Sequence, residues 1–307
     1  MTPSHAIDQL GKSVNILTAE PMARHTSFRV GGPAQYLALP TTVDQVKQVI
    51  QAARAAELPI TLLGGGSNIL VSDQGIGGMV LGLTKFKSGI HNPIDQTSFV
   101  GRIRAEAGHR LASVCRFAAK NGLAGLESLA GIPGTLGGAV AMNAGSAHWG
   151  IGECIHTLTV MDKKTLEMET LSKGELIFNY RHLDLPGKII LAVELDLTPG
   201  NPDQIQAAHD KALAVKKASQ PVSKASGGCF FKNPSPSTPA GKLIDQAGLK
   251  GTAVNQARVS HRHANFIVND GQARCQDILS LAQLVQDRVM ERFNIPLEPE
   301  IKVIENG

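Results

Sequence analysis

The chain has 307 residues, 42% apolar and 18% charged, with a net charge of +4. That length suggests two domains or three small ones, with a core large enough to need neither disulfides nor a structural metal. The composition excludes a disordered chain. Glycine is abundant at 32 residues, whereas Trp, Tyr and Phe together number 12. Backbone is therefore expected to approach something closely in several loops. Lys and Arg are scattered with no basic run, which fits an anionic small molecule better than nucleic acid. The aromatics are too few for a base-stacking platform. Cys115, Cys154, Cys229 and Cys275 lack CxxC spacing, so neither zinc nor a disulfide framework is expected, and the chain reads as reduced and cytoplasmic. No secretory signal or membrane-spanning helix is expected.

In chain order, Gln35–Leu39 reads as a strand. Thr42 to Gln45 reads as a capping box opening a helix with Val46, Val49, Ile50 and Ala53 on one face. Ile60–Leu63 is a short strand running into three glycines, and Met79–Leu83 is another strand. A strand near Phe99–Glu106 precedes a helix with Leu111, Val114, Cys115 and Ala118 on one face, stopped by Gly122. Gly131 to Gly152 reads as one long loop. Strands follow at Ile155–Met161, Leu166–Leu171 and Ile189–Leu197. Asn201-Pro202 opens a helix to about Lys217, and Ser219–Gly228 is a polar junction. A short helix from Pro239 to Ala247 ends at Gly248. Strands are expected at Thr252–Arg258 and Asn265–Val268, with an Asp270-Gly271 turn. A helix covers Cys275–Phe293, and Pro299–Ile304 is a final strand.

Three loops stand out. In LLGGGSNIL, Leu62 to Leu70, three glycines directly after a strand leave N–H groups that can face a phosphate. A plain tight turn explains them equally well. GIPGTLGGAVAMNAG, Gly131 to Gly145, is made mostly of small residues, which suits close approach to a flat or phosphate-bearing ligand. Two such loops favour a dinucleotide over two coincidental turns. In SGGCFFKNP, Ser226 to Pro234, Cys229 is either a buried core thiol or an accessible loop thiol. Arg181 and Glu300 are isolated charges between apolar neighbours, ordinarily surface or salt-bridge residues. His261 and His263 alone do not make a metal site, so no metal is expected.

Taken together, HTSFRVGGPA (His25 to Ala34), LLGGGSNIL, GLAGLESLAGIPGTLGGAVAMNAG, FNYRHLDL, GGCFFKNP, GKLIDQAGLKG, HANFIVN and LEPEI resemble, in order, the UDP-N-acetylenolpyruvoylglucosamine reductase (MurB) family of peptidoglycan synthesis. The resemblance covers nearly the whole chain. It implies an α+β architecture: a two-part FAD-binding fold of the vanillyl-alcohol-oxidase (PCMH) type plus a C-terminal α+β substrate-binding domain. The expected division is 1–85, joined by the C-terminal strand 301–307, then 86–200, then 201–300 for substrate. The implied reaction has NADPH reduce FAD, after which flavin N5 passes hydride to C3 of UDP-N-acetylglucosamine enolpyruvate and C2 is protonated, giving UDP-N-acetylmuramate for cell-wall biogenesis and hence cell shape and division.

By the same resemblance Arg181 stabilises the developing negative charge, with Glu300 assisting as a protonated donor of raised pKa. Cys229 stands where the family often has serine and becomes the proton donor. FAD is assigned Gly64, Gly65, Gly66, Ser67, Asn68 and Ile69 from the first loop. From the second it is assigned Gly131, Ile132, Pro133, Gly134 and Thr135, then Gly137 and Gly138, then Asn143, Ala144 and Gly145. Tyr180, Lys232, Asn233, Lys242 and His263 are assigned to the substrate. The tyrosines are only Tyr36 and Tyr180, so the chain resembles the shorter form lacking the inserted tyrosine loop. A monomer is expected. An FAD-linked oxidase of the same fold and a non-catalytic flavin or UDP-sugar binder are the competing readings.

Overall fold

The computed structural model describes residues 3–91, 101–146 and 149–305, so the beginning of the expected Phe99–Glu106 strand lies outside the described residues. By contacts the chain forms two compact units. The first takes the chain up to Ile16, Ala38–Gly65 and Leu81–Val215; the second takes Leu17–Leu37, Gly66–Val80 and Lys216 onward. These do not coincide with the three blocks read from sequence. Four of the five boundaries fall within the strands Asn15–Pro21, Pro33–Leu39 and Ile76–Gly82 and the helix Pro202–Ser219; the fifth lies in the glycine loop, between Gly65 and Gly66. Two long-range ties explain why 66–80 groups with the C-terminal part. Lys302–Ile304 runs parallel to Ile69–Val71. The Asp73 carboxylate accepts from Cys275 N at 2.8 Å and Gln276 N at 3.1 Å, which caps the helix Cys275–Phe293.

The first unit holds an antiparallel sheet. Its order is Met168–Ser172, Ile155–Asp162, Lys188–Pro199, Gly101–Glu106 and Ile90–His91, with Leu123–Ala124 on the end of the long central strand. Alternation decides its faces. Ile103 and Ala105 point into the core, while Arg102 pairs with Asp196 at 2.8 Å and Arg104 with Glu194 at 3.0 Å across the strand pair. The helix Leu111–Lys120 buries Leu111, Val114, Cys115, Ala118 and Ala119 and is stopped by Gly122 at φ +67°. In the helix Val43–Ala55, Thr42 accepts from Gln45 N at 3.2 Å. The Gln45 side chain accepts from Thr41 N, not Thr42 N, at 2.7 Å, so the expected box closes one residue further out.

Two expectations in this unit are corrected. The 131–152 stretch is not one loop: Leu136–Ala141 is helical, with Thr135 accepting from Gly138 N at 3.3 Å. Its two glycines have low helix propensity and hid it, but Gly137 is needed because a Cβ there would lie 2.6 Å from that of Ala107. The strand expected at Leu166 begins at Met168. Leu166 sits at φ +62° in a turn held by Asp162, which accepts from Lys164 N and Thr165 N.

The second unit carries an antiparallel sheet ordered Ala225–Ser226, Ile267–Asn269, Ala257–Val259, Ala253–Val254. The helix Cys275–Phe293 covers it with Ile278, Leu281, Ala282, Val285 and Val289, at the spacing of one helical face. The strand expected over Thr252–Arg258 is a hairpin instead. Asn255 turns it at φ +50°, a conformation asparagine tolerates, and its amide donates to Asp277 at 2.8 Å. The last strand starts at Lys302 rather than Pro299. Pro299 has no N–H to offer a ladder and bridges Phe231 instead. Among the described residues no helix is long and apolar enough to cross a membrane.

Candidate active site

The two glycine loops meet in the first unit. A Cβ on Gly64 would lie 2.8 Å from Thr135 Oγ1, and one on Gly65 would lie 2.6 Å from Gly134 Cα and 3.1 Å from Thr135 N. Gly64 therefore makes room for the Thr135 hydroxyl, and Gly65 lets backbone touch backbone. Gly131 and Gly134 take φ of +79° and +111°, so the second loop depends on glycine for its path as well. Gly64, Gly65, Gly131, Ile132 and Gly134 are half-buried, Pro133 is exposed, and Thr135, Gly137 and Gly66 are buried. Ile132 and Ala144 pack against the core of this unit, and Gly145 forms an isolated bridge with Gly150. Gly138 spends its N–H on the Thr135 cap.

The rest of the first loop belongs to the second unit. Gly66, at φ +63°, passes so close to His25 that a Cβ would meet its carbonyl oxygen. Asn68 donates its amide to Glu300 O at 3.1 Å and its carbonyl accepts from Lys302 N at 3.0 Å. Ile69 stands in register with Lys302, and Ser67 is half-buried.

Arg181 occupies a position that sequence reasoning read as an ordinary surface charge. Ile177–Asn179 pairs antiparallel with His182–Asp184, Asn179 opposite His182, so Tyr180 and Arg181 form a two-residue turn. Arg181 sits at φ +56°, where glycine or asparagine is the usual occupant of such a turn. Holding a large side chain there costs about 1–2 kcal/mol, the kind of strain that clusters at functional sites. Its guanidinium lies 5.0 Å from the centroid of the Tyr180 ring and donates to Ser146 O at 3.4 Å. Asn143 ties this hairpin to the second glycine loop: Nδ2 donates to Asn179 O at 3.0 Å and Oδ1 accepts from Gly152 N at 3.1 Å.

In the second unit Cys229, Asn233, Lys242 and His263 line one cavity of about 690 Å³, within the ordinary size range of ligand pockets. Lys250, Arg262 and Asp245 line it too and were not singled out from sequence: Asp245 and Lys250 lie in the same segment as Lys242, and Arg262 beside His263, but no spacing marks a lone charge there as part of a lining. Lys250 pairs with Asp245 at 2.6 Å, so Lys242 and Arg262 leave the lining cationic on balance. Burial, and then the Lys250 charge, hold His263 below the ordinary histidine range. It therefore presents a neutral imidazole, packed edge-on to Phe266 at 4.9 Å. Asn233 accepts from Ala240 N at 3.0 Å. Lys232 is not in the lining; it pairs at 3.3 Å with exposed Glu298.

Cys229 follows Gly228, which sits at φ +89° with nothing within 4 Å of a built Cβ. The thiol is half-buried, so the open alternative from sequence resolves to a cavity-lining thiol. Burial pushes Cys154 and Cys275 up to about 11. Glu300 donates its N–H to Phe230 O at 2.8 Å, one residue from Cys229. Among the described residues no three His, Cys, Asp or Glu side chains come together as a metal site.

Comparison with known proteins gives a consistent pattern. A family profile described as an FAD binding domain matches residues 34–170. Another, the C-terminal domain of UDP-N-acetylenolpyruvoylglucosamine reductase, matches residues 220–304. A UDP-N-acetylenolpyruvoylglucosamine reductase of Desulfosudis oleivorans is 43% identical over 295 residues, 93% of either chain. One of a Synechococcus species is 42% identical over 287 residues, 92% of this chain and 91% of the relative. The crystal structure of the Thermus caldophilus enzyme aligns with a TM-score of 0.76 at 36% identity, covering 94% of this chain and 98% of that one.

Proposed function

The chain belongs to the UDP-N-acetylenolpyruvoylglucosamine reductase family, and from that premise we propose that it carries out the NADPH-driven reduction of UDP-N-acetylglucosamine enolpyruvate to UDP-N-acetylmuramate. As a family member it is an FAD-dependent oxidoreductase of peptidoglycan synthesis. The glycine loops fit that cofactor, because half-exposed backbone at Gly64, Gly65, Gly131 and Gly134 carries no side chain to block a diphosphate. FAD, when bound, supplies the hydride that it receives from NADPH.

The chain's own residues supply the rest. Negative charge develops over C2 and the carboxylate of the substrate, and Arg181 on its strained turn is the cation assigned to it. Glu300 assists as a hydrogen-bond donor. Cys229 gives its proton to C2, leaving a thiolate that solvent reprotonates. Asn233, Lys242 and His263 hold the UDP-sugar, and Tyr180 and Lys232 are assigned to the substrate as well. A neutral His263 would serve as a hydrogen-bonding group and Lys242 as a phosphate partner. The protein works as a cytoplasmic monomer.

The observation that carries this reading is that Cys229, Asn233, Lys242 and His263 line one cavity. Replacing Cys229 by Ala tests it. Anaerobic flavin reduction by NADPH should stay within about twofold of wild type, while reoxidation by the enolpyruvyl substrate should slow by about 10²-fold or more, the range of a lost general acid. Unchanged reoxidation would remove Cys229 from the mechanism. Fast reoxidation by oxygen alone would favour an oxidase.

A further inference from the structure

The segment that carries Cys229 is strand-like but is paired on one side by an unusual partner. On one edge, Glu300 N donates to Phe230 O and Lys232 N donates to Glu298 O, both at 2.8 Å. On the other edge the partner among the described residues is Asn265 rather than a second strand. Its main-chain carbonyl accepts from Phe230 N at 2.7 Å. Its side-chain Oδ1 then accepts from Phe231 N at 2.9 Å, and its Nδ2 donates to Phe231 O at 2.8 Å. A carboxamide has the same donor and acceptor as a peptide group, so the side chain stands in for the next residue of a neighbouring strand.

The main chain after Asn265 cannot do this, because Phe266 N turns back to His263 O. Asn265 is 3% exposed and also lines the cavity, so both Phe231 groups would be left without water if it were removed. On the other side of Cys229, Gly228 is left-handed with open space where a side chain would stand, and the next packed residue is Gly227, against Phe28 and Ile301. Phe230 O is also the acceptor for Glu300 N, so any shift of this segment moves the backbone of both candidate catalytic residues.

We propose that Asn265 is a positioning residue: its side-chain clasp on Phe231 fixes Cys229 for proton delivery to the substrate. The proposal rests on the reading of Cys229 as the proton donor. A displacement near 1 Å at a reacting group can cost about 10²-fold in rate, which sets the expected scale.

The test uses the FAD holoenzyme of wild type, Asn265→Ala, Asn265→Asp and Cys229→Ala, with the two half-reactions measured separately. For Asn265→Ala, flavin reduction by NADPH stays within about twofold, and reoxidation by the enolpyruvyl substrate falls between about 10- and 100-fold. Alkylation of Cys229 by iodoacetamide, followed on its peptide by mass spectrometry, changes rate in the same variant. Equal slowing of both half-reactions would reduce Asn265 to a structural residue and overturn the proposal, as would unchanged reoxidation with unchanged alkylation.

Asn265→Asp carries the test if the alanine variant does not fold. The protonated carboxyl can accept from Phe231 N and donate to Phe231 O, whereas the carboxylate can only accept. Its reoxidation rate relative to wild type therefore rises as pH falls, and a flat ratio refutes the clasp. Normal reoxidation in Cys229→Ala, together with altered alkylation in Asn265→Ala, would sink the acid assignment while upholding the placement of the thiol by Asn265.

Discussion

Gly65→Ala isolates what the first glycine loop is for. Gly65 needs no left-handed backbone, so alanine costs nothing in φ there. The whole effect comes from the methyl, which would stand 2.6 Å from Gly134 Cα, 3.0 Å from the Gly134 carbonyl carbon and 3.1 Å from Thr135 N. Carbon atoms prefer separations of about 3.5–4.0 Å, so the loops must part by roughly 1 Å. Every atom in the way is backbone, and no rotamer can relieve the clash. Overpacking of this kind costs about 1–3 kcal/mol. If the touching arrangement is the one that binds FAD, that cost passes directly into affinity, a loss of about 5- to 150-fold. Titration of apoprotein with FAD, followed by quenching of flavin fluorescence, measures it. Gly174→Ala is the control, because a Cβ there meets nothing within 4 Å, and its affinity should equal that of wild type. An alanine at 65 that binds FAD within twofold of wild type would refute the argument that loop contact builds the cofactor site.

Two further outcomes follow from the geometry. Asn143→Ala removes the tie between the Arg181 hairpin and Gly152, so kcat/KM should fall at least tenfold, as expected for a displaced catalytic group, while flavin content per chain stays near wild type. Loss of flavin with retained turnover per bound flavin would instead show Asn143 acting through the cofactor, the role the resemblance assigns to it. Asp277 accepts from Arg274 N and from the Asn255 amide, both at 2.8 Å, and the Arg274 N–H, then Asn255, holds its carboxyl below the ordinary range. A depressed folded value means that the stabilisation is fully present above the unfolded value of about 3.9 and is lost as pH falls through the lower folded one. Asp277→Asn should therefore be less stable than wild type by about 1 kcal/mol at pH 7 in urea unfolding. The gap should begin to narrow only below about pH 4 and vanish below the depressed folded value; a gap unchanged from pH 7 down to the acid limit of folding would contradict the assignment.

The sequence carried the regular elements well where one face had to be buried. Val46, Val49, Ile50 and Ala53, and Ile278 to Val289, follow helical spacing because the core demands it. Elements set by long-range partners were not legible. Nothing near Asp73 announces that it caps a helix two hundred residues away, and nothing in Leu136–Ala141 marks a helix whose glycines answer to Ala107 rather than to propensity. The site divides in the same way. Cys229 and Asn233 share one motif, Lys242 and His263 belong to two others, and the fold brings all four to one cavity. Lys250, in the same segment as Lys242, and Arg262, beside His263, are single charges that become visible only as lining.

The abundance of glycine has two physical sources, and they predict different behaviour under mutation. Gly64, Gly65 and Gly137 are small because the Thr135 hydroxyl, the Gly134 backbone and Ala107 respectively occupy the place of a side chain. Gly66, Gly131, Gly134 and Gly228 bend the chain through left-handed conformations. Those of the second kind should tolerate asparagine, which visits that region more readily than other side chains, only where space is also free. Gly228 has that space and Gly66 does not, since a Cβ there would meet the His25 carbonyl. The composition of the chain thus reflects two loops pressed against each other and one turn left open beside a reactive thiol.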